Sequence, residues 1–398
     1  MSRRIRTTIA AAGGAMTRAR RAPWHARLAA VTRAAVLATA VLLVAVGTAR
    51  AELTFVHDSF RTTVSSNQAG GHPNLTTTFR IEHVNDDFSG TLREIELDLP
   101  VGLVGNATAF DRCPVGRVTA GVSGQPPCPR SSIVGAVSFA TWRHGFPAIL
   151  NPFWWHSAVY NVAPRPGSPA AFAFDAINTA VRLDVVVRPD GDYALRVSAR
   201  NLSEAEPILY FELTMFGVPA DHQGPPVPGG PVYRFREDPL DINWAEFGGP
   251  NPAVERRPFL INPAVCDGRP LHATLRARSW QEPTRWVGPL TDQVAPEIVG
   301  CDALRFEPSI EVTTDTRAAG APVGLGVDLT VPQTVGGNAL ATPPLKDAIV
   351  TLPEGMAISP SGADGLGACT DAQLALGSAE PERCPDSSKL GTVTIDTP

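Results

Sequence analysis

Lysine is nearly absent from this chain of 398 residues. Only Lys346 and Lys389 occur, and the rest of the 34 basic residues are arginine. That preference reads as GC-rich coding rather than as chemistry. Charged residues make up 18% of the chain, below the usual share of about a quarter. A charge-rich coiled coil and a charge-driven disordered chain are therefore both excluded. A formal net charge of −5 argues against a general nucleic-acid binder. Signatures of catalysis are missing too. There is no G-x-S-x-G elbow, no H-E-x-x-H and no G-x-x-x-x-G-K-[ST] phosphate loop. No two cysteines stand closer than 15 positions, which leaves no C-x₂-C pair for zinc.

The 38 prolines and 35 glycines leave little room for long helices, while 43% hydrophobic residues suffice to bury a core. The N-terminus carries an ordered set of signals. Arginines fill residues 1–33 with no acid among them, an apolar run follows from Ala34 to Gly47, and Ala49-Arg50-Ala51 closes it. Basic, then apolar, then small-x-small is the layout of a secretory signal peptide, so residues 1–51 are expected to be removed on export. The apolar run falls short of the about 20 residues of a spanning helix, which makes a retained anchor the weaker alternative. Removal would take nine arginines and no acid, leaving 25 basic residues against 39 acidic ones. A surface that acidic repels nucleic acid and anionic lipid.

All six cysteines lie beyond the signal: Cys113, Cys128, Cys266, Cys301, Cys369 and Cys384. An exported chain meets an oxidising compartment, where an even count reads as disulfides. Cys113 and Cys128 are 15 apart, and so are Cys369 and Cys384. Two equal spacings suggest two local staples, with Cys266 left to pair with Cys301. Loops of this size make each bridge worth about 3–4 kcal/mol.

The equal spacings belong to a longer self-similarity. Leu99-Pro100-Val101-Gly102-Leu103, Cys113 and Cys128-Pro129-Arg130-Ser131-Ser132 match Leu352-Pro353-Glu354-Gly355-Met356, Cys369 and Cys384-Pro385-Asp386-Ser387-Ser388. Ala69-Gly70 similarly matches Ala319-Gly320. The offset gives a unit of roughly 250 residues. Most segments read as strands, such as the alternation from Glu94 to Leu99 and the runs 76–81, 133–140, 208–215 and 348–352. Residues 182–188 and 193–200 read as a hairpin, and residues 370–376 as a short helix capped by Thr370. The expected fold is all-β: a disulfide-stapled β-sandwich repeat unit whose second copy is truncated. Its parts are a β-sandwich unit over 52–235, a Pro-rich connector over 236–302 carrying Cys266 and Cys301, and a partial second β unit over 303–398. The short second copy reads as a fragment of a longer array or as a unit reduced to half.

Candidate contact residues are few, and no catalytic residue stands out. Trp154 and Trp155 are adjacent in the richest aromatic stretch, and adjacent strand residues face opposite ways, so one is free to stack on a sugar or a partner while the other is buried. Core packing is the competing reading for both. Asn85, Asp86 and Asp87 offer oxygens for calcium, the one cofactor considered, although an acidic solvated turn explains them as well. The histidines form no ligand pairs; His72, before Pro73 in a Gly-rich turn, reads as structural. Glycosidases need two converging carboxylates, and nothing in the sequence selects a pair.

With these motifs in view, the chain resembles a family of large secreted β-rich repeat proteins of GC-rich actinobacteria. The resemblance rests on the two L-P-x-G-[LM]…C…C-P-x-S-S units, on Gly217-Val218-Pro219-Ala220-Asp221 and on the Ala319 to Leu325 segment. It implies export, repetition and β-structure, and it transfers no catalytic residue. The expectation is an extracellular or cell-surface protein with a structural or adhesion-like binding role. Its expected partner is an envelope component, a glycan or a protein, not nucleic acid, with membrane contact only through an uncleaved signal. The alternatives are a secreted hydrolase acting on polysaccharide and an envelope assembly factor.

Overall fold

The computed structural model describes residues 52–396 except 83–89, 120–126, 144, 148, 150, 189–190, 206, 236–243, 335, 358–364, 376–377 and 379. The signal segment 1–51 and the acidic turn Asn85, Asp86 and Asp87 therefore lie outside the described residues.

One antiparallel sheet of 11 strands dominates. Its strands are β1 (Arg61–Val64), β2 (Leu75–Arg80), β3 (Leu92–Asp98), β5 (Ile133–Thr141), β6 (Phe153–Val162), β7 (Ala170–Asp175), β8 (Ala180–Val187), β9 (Leu195–Arg200), β10 (Ile208–Met215), β14 (Leu271–Ser279) and β15 (Val287–Ala295). Their spatial order is β1-β2-β10-β5-β6-β7-β8-β9-β3-β14-β15. Three two-stranded pieces accompany it: β4 (Val104–Gly105) with β13 (Leu260–Ile261), β11 (Tyr233–Phe235) with β12 (Ala245–Phe247), and β16 (Ser309–Thr314) with β17 (Leu325–Thr330).

The sheet curls until its end strands meet, so it is nearly closed into a barrel. The seam between β1 and β15 is stitched by one carboxylate. Asp292 accepts the Thr62 backbone N–H at 2.6 Å and pairs with Arg61 at 3.3 Å. This corrects the expected sandwich. Alternating strands look the same in a sandwich and a barrel; the difference lies in pairings such as β3 with β9 and β10 with both β2 and β5, which join distant segments. The stretch read as a Pro-rich connector, 236–302, supplies β14 and β15 to this sheet. Prolines mark its loops, but the alternating run Leu271–Ser279 buries every second residue.

Alternation decides which side each residue takes. On β3, Leu97 looks inward, whereas Glu94, Glu96 and Asp98 look outward into a row of arginines. Glu94 receives Arg200 at 2.8 Å and is paired with Arg278; Glu96 accepts from Arg276 at 2.8 Å; Asp98 is held by both guanidinium arms of Arg196 at 2.5 and 2.9 Å. Burial works to raise the Asp98 pKa, but the hydrogen bond and charge of Arg196, helped by Arg188, outweigh it and hold the carboxyl below its ordinary value. Trp286 lies against Arg276 and Arg278, with its ring 4.5 and 4.7 Å from the guanidinium carbons.

The hairpin β11–β12 covers the outside of β5, β6 and β7. Small residues there, Ala136, Ala158, Ala171 and Ala173, allow close approach, and Phe216, Phe235 and Phe247 fill the layer between. His222 stacks on Phe216 with ring centroids 4.5 Å apart and bonds Asn74 at 3.1 Å. Burial lowers its pKa, which keeps it neutral at neutral pH.

All six cysteines are paired as Cys113–Cys128, Cys266–Cys301 and Cys369–Cys384, with Cα–Cα distances of 5.4, 6.0 and 5.1 Å. Three disulfides suit an oxidising, extracellular-type environment. The two local staples share their surroundings. Pro129 and Pro385 each cap a 3-10 turn, Arg130–Ser132 and Asp386–Ser388, and Ser132 and Ser388 donate back to the proline carbonyl at 2.6 and 2.7 Å. Leu-Pro-x-Gly forms the same turn twice. The Leu103 N–H reaches the Pro100 carbonyl and the Met356 N–H the Pro353 carbonyl, with Gly102 at φ 80° and Gly355 at φ 91°, a conformation that favours glycine. The helix expected at 370–376 is α1 (Asp371–Leu374), capped by Thr370 and Gln373. The run 348–352, read as a strand, has no ladder partner among the described residues and is irregular.

Candidate functional site

The strand registers assemble a polar and aromatic strip on the outside of the barrel. Trp154 on β6 pairs with Ala140 on β5, Ala140 with Tyr210 on β10, and Tyr210 with Arg80 on β2. Two positions along, His156 pairs with Ser138, Ser138 with Glu212, and Glu212 with Thr78. The period of two puts both rows on one face.

Trp154 is 49% exposed, and Trp155 only 4%. Trp155 turns into the core, where its indole N–H donates to the Asp175 carbonyl at 3.0 Å and its ring meets Trp244 edge-on. Trp154 stays outside with its ring 5.3 Å from Tyr210, and the Arg80 guanidinium lies 5.5 Å from the other ring's centre. The Tyr210 hydroxyl donates to Glu212 at 2.6 Å. Burial, together with that carboxylate, pushes the Tyr210 pKa up to about 12. His156 sits 2.8 Å from the Ser138 hydroxyl and edge-on to Trp244. Burial and the charge of Arg234 lower its pKa against the opposing pull of Glu212, so the ring is neutral at neutral pH.

A serine, a histidine and an acid side by side invite a catalytic reading, but their order is wrong for it. Ser138 stands between His156 and Glu212, whereas a relay needs the histidine between nucleophile and acid. The three acids of β3, Glu94, Glu96 and Asp98, are each tied to arginine. What the strip offers is two aromatic rings tilted 54° to one another, edged by a carboxylate, a guanidinium and an imidazole.

The remaining expectations are placed as follows. His72 is structural in its contacts, bridging the carbonyls of Leu260 and Ala339 at 3.2 and 2.9 Å. Among the described residues no cluster of three or more His, Cys, Asp or Glu side chains could hold a metal. Tyr210, Glu212 and Arg80 escaped the sequence reading. The strand around Tyr210 was visible, but only the pairing of β10 with β2 and β5 brings these residues to Trp154.

The fold and strip thus define a disulfide-stapled antiparallel sheet nearly closed into a barrel, with Trp154 and Tyr210 in contact on its outside. No family model, characterised protein or solved structure matches the chain.

Proposed function

We propose that this is an exported, extracellular β-repeat protein that binds rather than catalyses, with the Trp154 strip holding a glycan of the cell envelope. The observation that carries the reading is the half-exposed Trp154 beside Tyr210, flanked by Arg80, Glu212 and His156. Aromatic faces take the apolar side of a sugar ring, and the flanking polar groups take its hydroxyls. The Arg-rich leader over 1–51 and the three disulfides support export. The matching turns and staples of 61–132 and 311–388 support a repeated unit whose second copy lies in 303–398. A polysaccharide hydrolase draws no support from acids that are each neutralised by arginine.

Cosedimentation with insoluble cell-wall polysaccharide tests the reading. The chain without its leader should bind, and Trp154→Ala and Tyr210→Ala should each weaken binding by about tenfold, as loss of a central aromatic contact does. Equal binding by both folded variants and the unaltered chain, or no binding by the unaltered chain, would remove it.

A further inference from the structure

Eight strands close a barrel that side chains can just fill. This one has 11, and its interior is not filled. Two cavities of about 190 and 70 Å³ lie within it. They share Thr77, Leu97, Leu183, Val197 and Leu213 as walls, so they lie next to each other inside the barrel. The larger exceeds the roughly 150 Å³ apolar cavity that suffices to take up benzene. Among the described residues Thr77 is the only polar side chain lining either chamber, and its hydroxyl lies 3.5 Å from that of Thr62. Among the described residues no charged side chain lines either chamber to meet an ion, and burying an unpaired charge is prohibitive. The larger chamber ends at Val104 and Gly105 of β4, both exposed, and at half-buried Ala170.

We propose that the lumen is a binding site for an uncharged, elongated apolar molecule of the fatty-alcohol or alkane type, entering past β4 and Ala170. Two adjoining chambers select a chain over a compact ring system. Apolar walls select hydrocarbon, and Thr77 can meet at most one hydroxyl. This site is on the opposite face of the sheet from the Trp154 strip and stands without it.

Calorimetric titration of the full chain with 1-hexanol, 1-octanol, 1-decanol and decanoate tests the proposal. Affinity should rise by about fourfold per added methylene until the lumen is full. Decanoate at pH 8 should bind at least about tenfold more weakly than 1-decanol, because its carboxylate finds no partner. Leu183→Phe fills the wall common to both chambers, and Ala170→Leu narrows the end of the larger one. Each should reduce 1-decanol affinity by at least about tenfold while the melting temperature is held or raised, as filling an empty cavity predicts. Absence of alcohol binding to the folded chain would overturn the proposal. So would 1-decanol affinity unchanged in both folded variants, or decanoate binding as tightly as 1-decanol.

Discussion

Leu75 and Leu325 begin matching strands. In β1–β2 the register sets Arg61 opposite Thr78 and Val64 opposite Leu75; in β16–β17 it sets Glu311 opposite Asp328 and Thr314 opposite Leu325, the same ladder moved along by 250 positions. Even the corner is shared. Ser65 and Asp315 each accept, through a side-chain oxygen, the backbone N–H of Asn74 or Gly324, at 2.9 and 2.8 Å. Yet Leu75 is 4% exposed and Leu325 is 40% exposed. The outer edge of β2 is taken by β10, and its inward side chains face the lumen; no strand beyond β16 pairs with β17 among the described residues. Similar sequence thus yields the same turns, staple and register in both regions. Burial comes only where distant strands arrive. Turn geometry and disulfide loops are local, whereas a hydrophobic core needs a closed set of partners.

The comparison can be broken most sharply at those two leucines. Leu75→Ala should destabilise the barrel by about 2–5 kcal/mol, the cost of truncating a buried leucine and enlarging the cavity it lines. Leu325→Ala should change stability by no more than about 0.5 kcal/mol, as exposed substitutions do. Urea unfolding of both variants measures this, and equal losses would mean that β16–β17 is buried in solution. The staples give the next contrast. Replacing Cys113 and Cys128 together by alanine should cost the barrel about 3 kcal/mol, because Cys113 sits in the layer beneath the β11–β12 hairpin. The Cys369–Cys384 bridge closes a loop of equal length outside the barrel, so the same double replacement there should leave the barrel's unfolding midpoint in place. The smallest effect falls at the seam. Asp292→Ala removes a buried-edge acceptor from Thr62 and should cost about 1–2 kcal/mol, with faster hydrogen exchange confined to β1. Exchange that quickens throughout the sheet would show instead that the seam holds the whole barrel closed.

Much of the local structure was legible beforehand. Strand 208–215 has the expected limits, and the hairpin of β8 and β9 falls where the turn-rich centre of 182–200 placed it. Thr370 caps its helix, and both equal cysteine spacings close as local staples. Each of these depends on residues close in sequence. The misreadings share the opposite property. Ala348–Leu352 carries a strand pattern like that of Glu94–Leu99, yet β3 is a strand because β9 and β14 flank it. The sandwich became a barrel because β1 and β15, more than 220 positions apart, meet through Asp292. Of the candidate strip, Trp154 was visible, but Tyr210, Glu212 and Arg80 were not.

By itself the sequence determined the β-rich class, the staples, the turns and the division of each strand into an apolar and a polar side. These follow from backbone geometry and from side chains within a few residues of one another. Tertiary structure alone decided that 11 strands curl into one sheet, that an apolar lumen remains inside it, and that Trp154 meets Tyr210 on its outer face. Those outcomes depend on which strands pair and how many complete the circuit, and a pattern of period two carries no information about either.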